Sequence, residues 1–400
     1  MSEVFIARQP IYDAKLSVHG YELLYRRGTI GGARIKDGET ATSQLVLNAI
    51  TEFGMRDIVG NCPAFINVTK SFMLDDAILG LDPKQVVLEI LEDVTIDEEL
   101  LESVKKLSAR GFKIALDDFT YNNKYDSLLR LVDYVKLDYL DLGEDKMKEH
   151  VRLLMPFGVQ ILAEKVETES QFKKSLEMGC DLFQGYFLSE PTVMKKGRLP
   201  SNRLASLELL SKLESQANAR DLEEVISKDV GLSYKMMRML NSAAYQLPQK
   251  VASIRQGVVL LGRRKIKSLA SLLVLSKFDD KPKSLLITAM IRAKMCEGLG
   301  SMVGISNKDQ LFTIGLFSAL DSLTSLPLPD VISALPLEDD TVAALLLHEG
   351  DEGKLLSSVL HYEKGDFSEM KTYKLNSRKV RNLYFDSVKW AEEMGSSMSE

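Results

Sequence analysis

The chain is poor in cysteine, has a single tryptophan and contains no long apolar run. Cys62, Cys180 and Cys296 are odd in number and widely separated, which excludes a disulfide framework or a zinc-type spacing and fits a reducing compartment. The richest apolar stretches, such as ALLLH and SLLVLS, fall far short of a bilayer span. The opening MSEVFIARQPIYD lacks a basic segment followed by an apolar one, so no secretory signal is expected. Positive charge is in deficit too: 51 Lys and Arg face 57 Asp and Glu, a net of −6. That balance argues against a nucleic-acid binder, whose phosphate contacts need a basic face. The expectation is a cytoplasmic protein without membrane or nucleic-acid contacts. What is present, 45% hydrophobic and 27% charged residues over 400 positions, describes a globular chain too long for one ordinary core.

The first 190 or so residues alternate short β-rich runs with helical patterns, the rhythm of βα units. Eight strands are expected, at 4–12, 21–26, 64–68, 86–91, 113–118, 134–138, 160–164 and 182–187. Thr95-Ile96-Asp97-Glu98 reads as a capping box with Gly111 closing its helix, and Thr168 to Gln171 opens another that closes near Gly179. Beyond the Pro-, Gly- and Lys-rich stretch 191–203 the strands stop and only helical patterns follow, with leucines 204, 207, 210 and 213 on one face. The expected fold class is therefore α/β plus all-α: a (β/α)8 TIM-type barrel over residues 1–195, then a helical domain over 200–395.

Polar residues interrupt the barrel strands where aliphatics would be cheaper. Glu22 lies in YELLYR, Asn67 in AFINV, Glu89 in VVLEIL, Asp117 and Asp118 in KIALDD, Lys136 in YVKLD, Glu164 in QILAE and Gln184 before Gly185. A buried acid is costly unless it is paired or holds a cation. In such a barrel the C-terminal strand ends converge on one face. Several carboxylates on one rim suit hard cations such as Mg²⁺ or Mn²⁺, and two such ions close together are a recurring device for cleaving phosphodiesters. Any one acid alone reads as an ion-paired structural residue, and only the recurrence at equivalent strand positions favours metal binding.

At these residues the chain resembles the EAL-domain family of cyclic-di-GMP phosphodiesterases. The resemblance is carried by Gln9-Pro10-Ile11, Glu22-Leu23-Leu24 with Arg26, Asn67 in FINV, Glu89 in LEILE, Asp117-Asp118-Phe119, Lys136 in VKLD, Glu164 in AEKVET and Gln184 in QGYF. It implies a site for two Mg²⁺ or Mn²⁺ ions formed by Glu22, Asn67, Glu89, Asp117 and Asp118. It also implies catalytic roles for Lys136, Glu164 and Gln184, with Lys136 orienting the attacking water. Arg26 and Gln9 are the implied substrate contacts, and Glu92 and Glu167 the supporting acids. The implied reaction opens cyclic di-GMP to the linear dinucleotide pGpG, and the resemblance further implies a homodimer. The chain departs from the family in two places. Thr120-Tyr121-Asn122 follows Asp-Asp-Phe in place of Gly-Thr-Gly, and Lys165 stands where a glycine is usual. A domain that binds the nucleotide without hydrolysing it, or a protein-interaction scaffold, therefore stands as the alternative.

The second half resembles the HDOD domain, through GLSYKMMRMLNSAAY (231–245), Ser253-Ile254-Arg255-Gln256 and Leu260-Leu261-Gly262. Where metal-dependent relatives carry a His-Asp pair, LFSALD offers Asp321 without the histidine, and His348 and His361 have no metal spacing. A regulatory module contacting a protein partner is expected. Met236, Met237 and Met239 read as adaptable core, Arg263-Arg264-Lys265 as a solvated helix start, and Trp390 as the anchor of the last helix.

Overall fold

The computed structural model describes residues 4–27, 55–74, 78, 80–91, 94–185, 201–215, 219–241, 250–277, 282–305, 307–324, 326–368, 370, 373 and 375–399. The chain divides into two compact units, Met1–Leu188 with Glu363–Gly365, and Ser189–Tyr362 with Asp366–Glu400.

The first unit is a closed barrel of eight strands in sequential order: β1 (Val4–Asp13), β2 (Val18–Arg27), β3 (Ala64–Val68), β4 (Val86–Ile90), β5 (Lys113–Leu116), β6 (Tyr134–Asp138), β7 (Gln160–Glu164) and β8 (Leu182–Phe183). From β2 to β8 every neighbouring pair is parallel. β1 is the exception and runs antiparallel to both β2 and β8. The reversal is local in origin. Asp13 Oδ1 accepts the main-chain N–H groups of Lys15 and Ser17, both at 2.8 Å, and folds the chain back after four residues without a crossover helix. The regular βα alternation expected from the sequence thus begins only at β2.

Two of the helix starts match their local signals, and one moves. Thr168 caps Glu169–Met178 in a complete capping box with Gln171, and Gly179 ends it at φ 102°. Ser253 caps Ile254–Leu261, accepting from the Gln256 N–H. The helix expected to be capped by Thr95 is instead Glu98–Ala109, capped by Asp97 through the Leu100 N–H. Aspartate is as strong a cap as threonine, and Lys70 bridges Asp97 at 2.6 Å to hold it in place.

One layer of the barrel interior is apolar. Ile11, Phe65, Val87, Ala115, Tyr134, Leu162 and Leu182 pack as a single cluster of seven buried residues drawn from seven strands. Side chains alternate faces along a strand, so the next inward layer lies two residues further on. That layer holds the polar residues described below.

The described residues of the second unit form helices joined by turns and short loops, with no strand among them. Lys283–Val303, its 21-residue central helix, packs against Lys308–Phe317 and Ser377–Ser399. The first contact depends on Gly315, where an added Cβ would sit 2.7 Å from Ala293 Cα and 2.8 Å from Arg292 O. Trp390 is buried edge-on against Phe312 at 5.8 Å, anchoring the last helix as expected. Met236 and Met239 are core residues. The helix start at Arg263 is less solvated than its sequence suggests. Lys265 is drawn under cover by Glu297, which also takes Lys294 at 2.6 Å. Burial raises the Glu297 pKa, but the two lysines outweigh it and leave the carboxyl below its ordinary value.

Candidate active site

Each strand of the barrel places one residue in the layer above the apolar cluster. Moving two residues from Phe65, Val87, Ala115, Tyr134, Leu162 and Leu182 gives Asn67, Glu89, Asp117, Lys136, Glu164 and Gln184. On the reversed strand the step runs backwards, from Ile11 to Gln9. Gln9 lies directly across from Glu22 in the β1–β2 ladder, and Asn67 across from Glu89 in the β3–β4 ladder. Eight residues singled out from sequence therefore form one interior layer at one end of the barrel.

Lys136 is at its centre. The Lys136 side chain is fully buried, and its Nζ lies 2.8 Å from Asp117 Oδ1, 2.9 Å from Glu89 Oε1, 2.9 Å from Glu164 Oε1 and 3.5 Å from Glu22 Oε2. Four carboxylates from four strands or their ends share this one ammonium. Burial opposes the charge on Lys136, yet Glu164, Glu22, Glu89 and Asp117 together hold its pKa well above the ordinary lysine value. One positive charge is too few for four negative ones. Burial, with Glu22 and Asp117 nearby, pushes Glu89 well above the usual carboxylate range despite Lys136. Glu164 is raised to about 8, first by burial and then by Asp117 and Glu22, against the pull of Lys136. Gln184 donates from Nε2 to Glu22 Oε2 at 2.6 Å and fixes that carboxylate's orientation.

The other residues named from the sequence lie around this layer. Asp118 is the next residue beyond it, exposed and at φ 42°. Glu167 is exposed, and its main-chain N–H donates to Gln171 Oε1 at 2.7 Å as part of the helix cap. Glu92 and the Arg26 side chain lie outside the described residues. The loop after Phe119, which lacks the family's glycines, is closed by its own side chains. Asn122 caps a short turn at Asn123–Tyr125, the Tyr121 hydroxyl donates to Asp126 Oδ1 at 3.0 Å, and Phe119 packs edge-on against Tyr125 at 5.1 Å.

Sequence reasoning missed Asp138 and understated Lys165. Asp138 ends β6 level with Glu164. It is buried, and its Oδ1 caps the helix Tyr139–Leu154 through the N–H groups of Leu140 and Asp141, at 2.8 and 3.1 Å. Its second oxygen, Oδ2, accepts from the Lys165 ammonium, which also lies 4.0 Å from Asp118 Oδ1. An aspartate directly before a helical run, two residues after a buried lysine, was the available signal. Gly185 marks another constraint. It sits at φ 143°, where an added Cβ would fall 2.1 Å from Val166 O. The main chain after β8 therefore closes tightly on the Lys165–Glu167 segment, and Val166 N–H donates to Gln184 O at 3.0 Å.

Among the described residues no group of three or more His, Cys, Asp or Glu side chains stands ready-made for a metal, because the acids point at Lys136. The donor chemistry nonetheless suits a hard cation. Glu89 is fully buried, its Oε2 has no hydrogen-bond partner among the described residues, and the layer carries more negative charge than Lys136 neutralises.

In the second unit, Asp321 accepts from the N–H and hydroxyl of Ser322, at 2.6 and 3.1 Å, and burial raises its pKa. His361 pairs with Asp366 at 3.3 Å, and His348 is an exposed helix end. Among the described residues no helix is long and apolar enough to cross a membrane.

Comparison with known proteins agrees with this architecture. A family model described as EAL domain matches residues 64–191, and one described as HDOD domain matches residues 198–333. The Bacillus subtilis protein YuxH is 33% identical over 98% of this chain and 98% of its own. Cyclic di-GMP phosphodiesterase CdgJ of Vibrio cholerae is 32% identical over 98% of this chain and 94% of its own. Among solved structures, the calcium and cyclic-di-GMP complex of Klebsiella pneumoniae BlrP1 aligns at 23% identity over 47% of this chain and 55% of that chain, with a TM-score of 0.39. The chain belongs to the family of proteins that join an EAL domain to an HDOD domain.

Proposed function

We propose that the barrel is a metal-dependent phosphodiesterase that hydrolyses cyclic di-GMP to pGpG, and that the helical unit is a regulatory module contacting a protein partner. The observation that carries this reading is the interior layer in which Glu22, Glu89, Asp117 and Glu164 crowd around one buried ammonium. So concentrated a negative site costs stability that a bound cation would offset, and carboxyl groups perturbed in this way cluster at functional sites. The full-length similarity to CdgJ supplies the substrate class.

In this reading Glu22, Asn67, Glu89 and Asp117 hold one Mg²⁺ or Mn²⁺ ion, and Asp118 lies toward a second. When bound, the ions polarise the phosphodiester and make water more acidic. The protein's own contribution is positioning and charge. Lys136 keeps its proton and directs a fixed positive charge at the oxygens among which the reaction occurs. Glu164, raised to about 8, holds its proton near neutral pH in the metal-free layer; a cation bound beside it would favour the carboxylate, the form that can accept a proton from the attacking water. Gln184 holds Glu22 in a single orientation. Gln9 and Arg26 are the proposed contacts to base and phosphate, and Glu92 and Glu167 the proposed supporting acids.

The test is to incubate purified protein with Mn²⁺ or Mg²⁺ and cyclic di-GMP and to follow pGpG by chromatography. Wild type is expected to form it and Glu22→Ala to lose it; equal inertness of the two, with metal bound, refutes the enzyme. The self-closed loop after Phe119 favours one second reading, a receptor that binds cyclic di-GMP without turnover. Calorimetric binding with no product would select it.

A further inference from the structure

The carboxylates at this end of the barrel divide between two ammonium groups. Lys136 takes Glu22, Glu89, Asp117 and Glu164, while Lys165 takes Asp138 and lies 4.0 Å from Asp118. The two lysines differ in setting. Lys136 is buried, whereas the Lys165 side chain is 53% exposed yet tied at its tip to the buried Asp138. Asp138 is itself immobilised by the two N–H groups of the helix it caps, so the Lys165 charge is held at the rim rather than swinging in solvent.

The backbone adds to the case. Lys165 adopts φ 51° and Asp118 φ 42°, a left-handed conformation that aspartate tolerates and lysine disfavours. A strained lysine persists where the surrounding structure holds it. Here it is held by Asp138 on one side and by the tight closure of Gly185 over Val166 on the other.

We propose that the Lys165 ammonium is a built-in monovalent cation beside Asp118, so that this protein loads one divalent ion tightly and a second much more weakly. The inference rests on the metal reading given above and specifies its stoichiometry. An ion arriving at Asp118 must either share the space with Lys165 or drive it away, which leaves the buried Asp138 Oδ2 without its cation. Repulsion between a +2 and a +1 charge a few ångströms apart in a water-like dielectric weakens binding by about tenfold. Partial loading makes the state of the site responsive to divalent-ion concentration.

The test is Mn²⁺ titration of the full-length protein at pH 8, followed by calorimetry and by the electron paramagnetic resonance of free Mn²⁺. Wild type is expected to bind one equivalent tightly and a second at least tenfold more weakly. Lys165→Gly removes the charge and relieves the left-handed strain, and is expected to tighten the second equivalent about tenfold. Lys165→Arg keeps the charge and should behave as wild type, and Asp118→Asn in the Lys165→Gly background should return binding to one equivalent. Two equal sites in wild type, or superimposable isotherms for wild type and Lys165→Gly, overturn the inference while leaving the metal site intact. Failure of every variant to bind any Mn²⁺ overturns the metal reading itself, and the inference with it.

Discussion

Replacing Lys136 with methionine, which is close in length and apolar, removes the one cation shared by Glu22, Glu89, Asp117 and Glu164. Taking one partner from a buried ion pair costs about 3–5 kcal/mol, because the charge left behind is uncompensated. For a unit of this size, each kcal/mol moves the melting point by about 2–4 °C, so the barrel transition should fall by roughly 10 °C at pH 8 without added metal. The loss should shrink at pH 5. Glu164 already has its pKa raised to about 8 in the wild type, so its folded form holds a proton more tightly than the unfolded chain does. A carboxyl with a raised folded pKa costs stability as pH rises from about 4.5 toward 8, and none once pH falls below both values. Without Lys136 the acids protonate still more readily, which relieves the repulsion at low pH. The assay is thermal denaturation followed by circular dichroism at pH 5 and pH 8, with and without Mn²⁺, which should recover part of the loss at pH 8. A Lys136→Met protein that melts within 2 °C of wild type at both pH values refutes the claim that this ammonium holds the layer together.

Mn²⁺ affinity of the wild type, measured by calorimetry, should rise as pH increases from 6 through about 8, since Glu164, raised to about 8, and Glu89, held well above the usual carboxylate range by burial, must lose protons to support or ligate an ion. Gly315→Ala forces a Cβ into the main chain of the Lys283–Val303 helix and should destabilise the helical unit by about 1–3 kcal/mol in urea unfolding. Thr168→Ala, which removes the capping-box hydroxyl, should cost the barrel about 1 kcal/mol by the same method.

The strands were legible because their signals are local: short β-rich runs bounded by helical patterns. VVLEI and YVKLD are buried on both faces, and their polar interruptions fall on one inward layer, two residues beyond the apolar cluster. The caps at Thr168 and Ser253 were legible for the same reason, since each cap contacts a residue three positions away. Long-range geometry was not. Nothing in the local pattern of residues 4–27 distinguishes a hairpin from the start of a βα unit except the Asp13 turn, which looks like an ordinary loop residue until its two N–H partners are seen. The convergence of four acids on Lys136 depends on barrel closure, which brings residues as far apart as 22 and 164 onto the same ammonium. The Asp138–Lys165 pair joins the ends of neighbouring strands 27 positions apart.

Metal-dependent hydrolysis requires the acids of the polar layer to coordinate a divalent ion. Crystals grown with Mn²⁺ and measured at its absorption edge test this directly. A strong anomalous peak about 2.1 Å from oxygens of Glu22, Asn67, Glu89 and Asp117 is the predicted result. Crystals saturated with Mn²⁺ that show no such peak, with Glu22, Glu89, Asp117 and Glu164 still gathered on Lys136, would contradict it.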